Sequence, residues 1–177
     1  FGDMTHLTRD QGVASSTTRA VFCGGYNEPT NAGYTDYGSM SRMQYMTFAT
    51  KGNSENFGQL SHRSFGVLAT SSATRGVIAG GSGVEPSFPN INIIEFITIA
   101  TESNTTDFGD LAIARRDGFS TSNSIRGIFA GGYTPTFQNV IDFVTIASTG
   151  NASDFGDLLT LRRTGASWGD SHGGIGD

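Results

Sequence analysis

The residues with the most obvious chemical potential are two aspartates that each open the triplet Asp-Phe-Gly, at Asp107-Phe108-Gly109 and Asp154-Phe155-Gly156. That triplet binds magnesium in phosphoryl-transfer enzymes, but only beside a glycine-rich phosphate loop, a strand lysine and a catalytic loop. This chain has one lysine, Lys51, and neither loop, so the triplets ask for another explanation. His6, His62 and His172 are dispersed, with no carboxylate at ligand spacing. They read as solvated or capping side chains unless a fold gathers them at one point. Cys23 sits where equivalent segments carry Ala79 and Ala130, which makes it a small buried filler and not a nucleophile. Glu28, Asp36 and Glu85 lie outside the repeating pattern and offer no paired carboxylates of the kind glycan hydrolysis needs. Asn104-Thr105-Thr106 and Asn151-Ala152-Ser153 match glycosylation sequons, yet their regular placement marks them as turn residues. The sequence thus offers no catalytic residue, no cofactor site and no metal site.

Periodicity supplies the explanation the triplets require. Phe1-Gly2-Asp3-Met4, Phe57-Gly58-Gln59-Leu60, Phe108-Gly109-Asp110-Leu111 and Phe155-Gly156-Asp157-Leu158 recur at intervals of 56, 51 and 47 residues. An arginine falls 18 residues after each of the first three phenylalanines (Arg19, Arg75, Arg126), and a Gly-Gly pair begins 23 residues after (Gly24, Gly80, Gly131). A second apolar stretch and a turn at Asn53, Asn104 or Asn151 complete each unit. Length varies only between the two apolar stretches, as 17, 12 and 8 residues, so that segment is a surface loop. The Phe is expected to pack between units, the Gly to allow close backbone approach, and the Asp after it to pair with the arginine of the next strand. On this reading Arg19, Arg75 and Arg126 are partners for Asp3, Asp110 or Asp157.

Segments such as Arg75-Gly-Val-Ile-Ala, Ile94-Glu-Phe-Ile-Thr-Ile-Ala and Ile141-Asp-Phe-Val-Thr-Ile-Ala are short and rich in β-branched and aromatic residues. No stretch keeps a helical apolar period for three turns, and turn residues recur every eight to twelve positions. The chain is therefore all-β. Apolar residues on both alternating faces of Ile141–Ser148 predict a strand whose sheet is covered on both sides. About four antiparallel strands per unit, with small sheets stacked on each other, describe β-propeller blades.

The Gly-Gly after an apolar strand, with Tyr26 and Tyr133 following it, resembles the kelch repeat, although the tryptophan usual in that repeat is missing. Arg-Gly-Ile-Phe-Ala-Gly-Gly-Tyr from Arg126, the run from Asn139 to Leu158, and the closing Asp170-Ser-His-Gly-Gly are similar to repeat arrays of virion structural proteins of tailed phages, especially of marine and cyanobacterial hosts. The resemblance implies a kelch-like propeller in a single domain, 1–177, with repeats at 1–56, 57–107 and 108–154 and a partial one at 155–177. It implies localisation in the virion and a non-enzymatic structural or interaction role, associated with the tail or tail fibre. Partners would be other virion proteins, copies of itself or a host-surface glycan. A glycan-acting propeller enzyme and a cellular kelch-type adaptor are the alternatives.

The repeat phase makes Phe1–Met4 the last strand of a unit and Arg163–Ile175 the start of another. Further repeats before Phe1, closure of a short fourth blade, or several chains completing one ring would each resolve this. Composition narrows the partners. With 11 Lys and Arg, no basic stripe and a net charge of −5, nucleic acid is not expected. No apolar run approaches the roughly 20 residues that span a bilayer, and one cysteine makes no internal disulfide. The candidate contact residues lie on the variable loops. Tyr26, Tyr34, Tyr37 and Arg42 flank or occupy the longest of them, and Phe88 and Phe137 occupy its shorter counterparts.

Overall fold

The computed structural model describes residues 2–27, 38–166 and 169. Among them there is no helix, and thirteen strands form three antiparallel sheets. The first holds β1 (Gly12–Ser15), β2 (Arg19–Cys23), β3 (Tyr26–Asn27), β4 (Gly38–Thr47) and β5 (Glu55–Ser64). The second runs β6 (Leu68–Ser71), β7 (Arg75–Ala79), β8 (Ile93–Thr98), β9 (Thr106–Asp110). The third runs β10 (Phe119–Ser122), β11 (Arg126–Ala130), β12 (Gln138–Thr145), β13 (Ser153–Arg162). The sheet boundaries follow the repeat phase, so the spacing of Phe-Gly does report a structural unit.

Local chemistry fixes each hairpin. Between the first two strands of each sheet a side-chain oxygen closes the turn, Ser16 Oγ accepting from Arg19 N at 3.2 Å, Ser72 Oγ from Arg75 N at 3.2 Å and Asn123 Oδ1 from Arg126 N at 2.7 Å. Between the last two strands the Phe of Phe-Gly is an extra residue. Met43 faces Gly58 while Gln44 faces Asn56, Ile94 faces Gly109 while Glu95 faces Asp107, and Ile141 faces Gly156 while Asp142 faces Asp154. Each Phe is thus the unpaired residue of a β-bulge, and a bulge re-aims a side chain.

In the first two sheets the bulge aims Phe57 and Phe108 into the joint with the following sheet. Val21, Cys23, Met43, Tyr45, Phe57 and Leu60 of the first sheet pack on Ile78, Ile97 and Ile99 of the second. Val77, Ala79, Ile94, Phe108 and Leu111 of the second pack on Phe129, Val144 and Ile146 of the third. The glycine after the Phe meets the next turn. A Cβ on Gly58 would lie 2.1 Å from Ser103 O, and one on Gly109 2.4 Å from Gly150 O. The asparagine of that turn then accepts from the next backbone N–H, Gln59 N to Asn104 Oδ1 and Asp110 N to Asn151 Oδ1, each at 3.0 Å. Asp3 N gives the same bond to Asn53 Oδ1 at 2.9 Å, so Gly2 and Asp3 lie on the first sheet as β5 lies on the second. The described part of the expected strand Phe1–Met4 is not a strand.

Two further expectations need correction. Arg19, Arg75 and Arg126 form no ion pair with Asp3, Asp110 or Asp157 among the described residues. Each guanidinium instead covers a ring on the neighbouring strand, Tyr45 at 4.5 Å, Phe96 at 4.3 Å and Phe143 at 4.9 Å. Arg19 also donates to Ala100 O at 3.0 Å and Arg75 to Ile146 O at 2.9 Å, which are carbonyls of the following sheet. The aromatic residue at that register position, not the aspartate, is what the arginine is matched to. Cover on both faces, expected for Ile141–Ser148, does not hold for β12. There Asp142 and Val144 are buried on one face while Ile141 and Phe143 on the other are half-buried.

Candidate binding face

The first strands β1, β6 and β10 lie side by side, and hydroxyls stitch them together. Ser71 Oγ donates to Ser15 O at 2.8 Å and Ser122 Oγ to Ser71 O at 2.7 Å. Just before these strands, nine residues after each Phe, Asp10, Gly66, Asp117 and Thr164 all adopt a left-handed backbone with φ of 57°, 63°, 54° and 59°. Three of the four are not glycine, and an L-residue pays for that backbone with strain. A backbone ladder compensates: Gly66 N donates to Asp10 O at 2.8 Å, Asp117 N to Gly66 O at 2.8 Å and Thr164 N to Asp117 O at 2.7 Å. The four repeats therefore converge at one end of their first strands, around a groove of about 350 Å³ that includes Gln11, Leu68, Phe119 and Gly165. Beside it, Asp10 and Asp117 line a smaller hollow of about 150 Å³.

A band of arginines and aromatic rings borders that end. The residue after each Gly-Gly bridges to the residue before the left-handed turn, pairing Arg9 with Tyr26, Phe65 with Ser82 and Arg116 with Tyr133. Arg9 then lies 4.8 Å from the Tyr26 ring, and Arg116 lies between Phe65 at 5.4 Å and Tyr133 at 5.3 Å. Arg163 lies over Tyr133 at 5.4 Å. Loop residues extend the band: Phe88 meets Phe65 edge-on at 5.8 Å and Tyr26 at 6.3 Å, and Phe137 meets Tyr133 at 6.2 Å. Tyr26 Oη donates to Glu85 Oε1 at 2.8 Å. Arg9 pairs with Asp10, while Arg163 reaches Asp117 at 3.0 Å and Arg116 reaches it at 3.4 Å. Burial pushes the Asp117 carboxyl above its usual range, against the pull of Arg163 and Arg116.

Of the contact residues chosen from the sequence, Tyr26, Phe88 and Phe137 thus lie on one band. Arg42 does not: it sits exposed on β4 beside the His6 ring. Tyr34 and Tyr37 lie outside the described residues, as do Glu28, Asp36 and His172. Sequence reasoning missed Arg9, Phe65, Arg116 and Arg163, all eight residues after a Phe-Gly phenylalanine. Aligning the repeats at that position would have found them.

A second polar set is internal. Gln44, Glu95 and Asp142 occupy one position of the third strand and are 4%, 3% and 0% exposed. Ser54 Oγ and Thr5 Oγ1 donate to Gln44 Oε1 at 2.7 Å each, and Ser61 N and Thr105 Oγ1 donate to Glu95 Oε1 at 3.0 and 2.8 Å. In the third repeat Ala112 and Ala152 replace these hydroxyl residues, and Asp142 is instead held by fully buried Arg115 at 2.8 Å. The side chains change together because a buried polar group needs a partner.

Ser61, His62 and Glu95 carry the residue types of a nucleophilic triad, but not its geometry. Ser61 Oγ at 3.0 Å and Glu95 Oε2 at 3.8 Å both face His62 Nδ1. A triad needs the hydroxyl on one ring nitrogen and the acid on the other. The same hydroxyl-to-Nδ1 contact recurs at Thr5 and His6, at 3.1 Å, which marks it as a repeat feature. Cys23 is fully buried, and burial pushes its thiol up to about 12, so no thiolate is available. Among the described residues no three His, Cys, Asp or Glu side chains could share a metal ion. No protein-family model and no curated protein matches the chain, so the reading of the face rests on geometry and the repeat pattern.

Proposed function

We propose that this chain is a set of kelch-like β-propeller blades acting as a non-enzymatic recognition and structural module of a phage particle, and that the arginine–aromatic band is the face that binds. The observation that carries this reading is the recurrence of the band at one repeat position. Arg9, Tyr26, Phe65, Arg116, Tyr133 and Arg163 follow one another along that end, beside the groove. Rings with a polar tip, planar guanidiniums and paired carboxylates suit the apolar face and hydroxyl edge of a sugar. A host-surface glycan is therefore the proposed ligand. Binding of the purified chain to an immobilised panel of neutral and uronic-acid glycans tests the reading. Tyr133→Ala and Arg116→Ala are each expected to weaken binding at least about tenfold, the effect of removing a central contact, and Thr160→Ala to leave it unchanged. Binding to none of the panel, or equal binding by all variants, would overturn it.

A glycan-cleaving enzyme is favoured by one observation, the raised carboxyl of Asp117 beside Asp10 in the hollow. That reading requires release of reducing ends from a bound glycan, abolished in Asp117→Asn. Binding without release separates the two.

A further inference from the structure

We infer that the buried polar position of the third strand is a matching key, which lets each sheet accept the sheet that follows it in the chain and reject the other repeats. The inference goes beyond the loop face and does not depend on what that face binds.

Three parts are common to the two joints inside the molecule and cannot tell one repeat from another. They are the bulge phenylalanine (Phe57, Phe108), the glycine that admits the next turn (Gly58, Gly109) and the arginine that donates to a carbonyl of the next sheet (Arg19, Arg75). Repeats this alike can dock out of order, within one chain or between two, which is a characteristic failure of repeat proteins. The polar contacts, by contrast, differ from joint to joint. In the first, Glu95 of β8 meets β5 of the preceding sheet, where Ser61 N donates to its Oε1 at 3.0 Å and His62 Nδ1 lies 3.8 Å from its Oε2. In the second, Asp142 of β12 meets Arg115, which the preceding sheet holds through Arg115 N to Ile91 O at 3.2 Å. The guanidinium donates to Asp142 Oδ2 at 2.8 Å and to Phe129 O at 3.1 Å, and both charged side chains are fully buried. Another position divides in the same way. Tyr45 Oη lies 2.8 Å from Glu102 Oε1 across the first joint, where the second has Phe96 and Thr149.

Wrong pairings leave a buried charge without its partner. Counted from Phe-Gly, Ser64 of the first sheet stands where Arg115 stands in the second. The third sheet set on the first would therefore bury Asp142, one methylene shorter than Glu95, with no guanidinium to meet it. The first sheet of another chain set on the second would bring neutral Gln44 to Arg115 and bury the guanidinium without a carboxylate. Removing one partner of a buried ion pair lowers a folding equilibrium constant by roughly a hundredfold to a thousandfold, which decides between joints that are otherwise alike. Replacing both partners by apolar residues of similar size carries no such penalty, so the pair supplies choice of neighbour and not strength.

Two variants of the full chain test this. Arg115→Leu with Asp142→Leu removes the key from the second joint. Its urea midpoint is expected to equal or exceed that of the unmodified chain, while amide NMR spectra after refolding show more than one set of third-sheet signals where the unmodified chain shows one. Asp142→Glu with Ala112→Ser, Ile113→His, Arg115→Ser and Ala152→Thr copies the first joint's key into the second. It is expected to refold to one set of signals and to have a folding equilibrium constant at least about tenfold above that of Asp142→Glu alone, since the longer carboxylate then has its own partners. A single set of signals or a lower urea midpoint from the leucine variant, or a copied key no more stable than Asp142→Glu alone, would overturn the inference.

Discussion

The pentapeptide Asp-Phe-Gly-Asp-Leu occurs twice, at Asp107–Leu111 and at Asp154–Leu158. Both copies make the same bulge, with glycine φ of 148° and 135°. Their surroundings differ completely. Phe108 is 2% exposed, with the third sheet against it, and Phe155 is 53% exposed. Identical local sequence therefore sets the backbone, and the neighbouring repeat sets the burial. Arginine shows the same division: Arg75 and Arg126 both lie over a ring, and only Arg75 reaches a carbonyl across a joint.

The sharpest break between the two regions is expected from truncating the bulge phenylalanines. Phe108→Ala leaves a cavity in a closed joint and should cost about 3–5 kcal/mol, while Phe155→Ala should cost under about 1 kcal/mol. Urea midpoints of the two variants, measured in dilute protein, check this. The opposite face of the third sheet is closed, and Asp142→Ala there should cost about 3–5 kcal/mol because it strands Arg115 without its buried partner. A loss as small as that of Phe155→Ala would mean that the third sheet is loose on both faces.

The arginines should divide more gently. Arg75→Ala loses a ring contact and a hydrogen bond, about 1–2 kcal/mol, and Arg126→Ala loses the ring contact alone, about 0.5–1 kcal/mol. The smallest effect is a pH dependence in the first joint's neighbourhood. Burial pushes His62 below the usual imidazole range, with Glu95 pulling the other way. The unfolded chain then binds the proton first as the pH falls through about 6.5. Stability at His62 is thus full above that pH and is lost progressively as the pH falls towards the folded value. Thermal midpoints between pH 7 and 5 should fall less steeply in His62→Gln than in the unmodified chain.

The Phe-Gly and Gly-Gly spacings made the strand order and sheet boundaries legible, because each motif performs one fixed geometric task. Gly81 N donates to Arg115 O at 2.8 Å and Gly132 N to Arg162 O at 2.8 Å, so the second glycine of each pair holds the end of its sheet's last strand or the chain just beyond it. Pattern reading went astray at the arginines, where opposite charge suggested aspartate and register placed a ring instead. It missed the polar position Gln44, Glu95 and Asp142, since a lone polar residue in an apolar strand looks solvent-facing until its partners are known. It singled out Tyr26, Phe88 and Phe137 because they stand out on loops, and the structure places them beside Phe65 and Tyr133. The matching residues Arg9, Phe65, Arg116 and Arg163 lie among other arginines and phenylalanines of the chain, and their common offset from Phe-Gly is what sets them apart.

The central claim is that successive repeats join by seating a turn on the Phe-Gly glycine, and one matched pair of variants tests it most directly. Gly109→Ala and Gly156→Ala impose a similar backbone strain, since both positions have similar positive φ within the same pentapeptide. Strain cancels in their comparison, and what remains is the clash with Gly150 O, present at Gly109 and absent at Gly156. Measured by urea unfolding at a concentration where the chain is monomeric, Gly109→Ala should be the less stable variant by about 1–3 kcal/mol. Equal losses at the two positions would contradict the account.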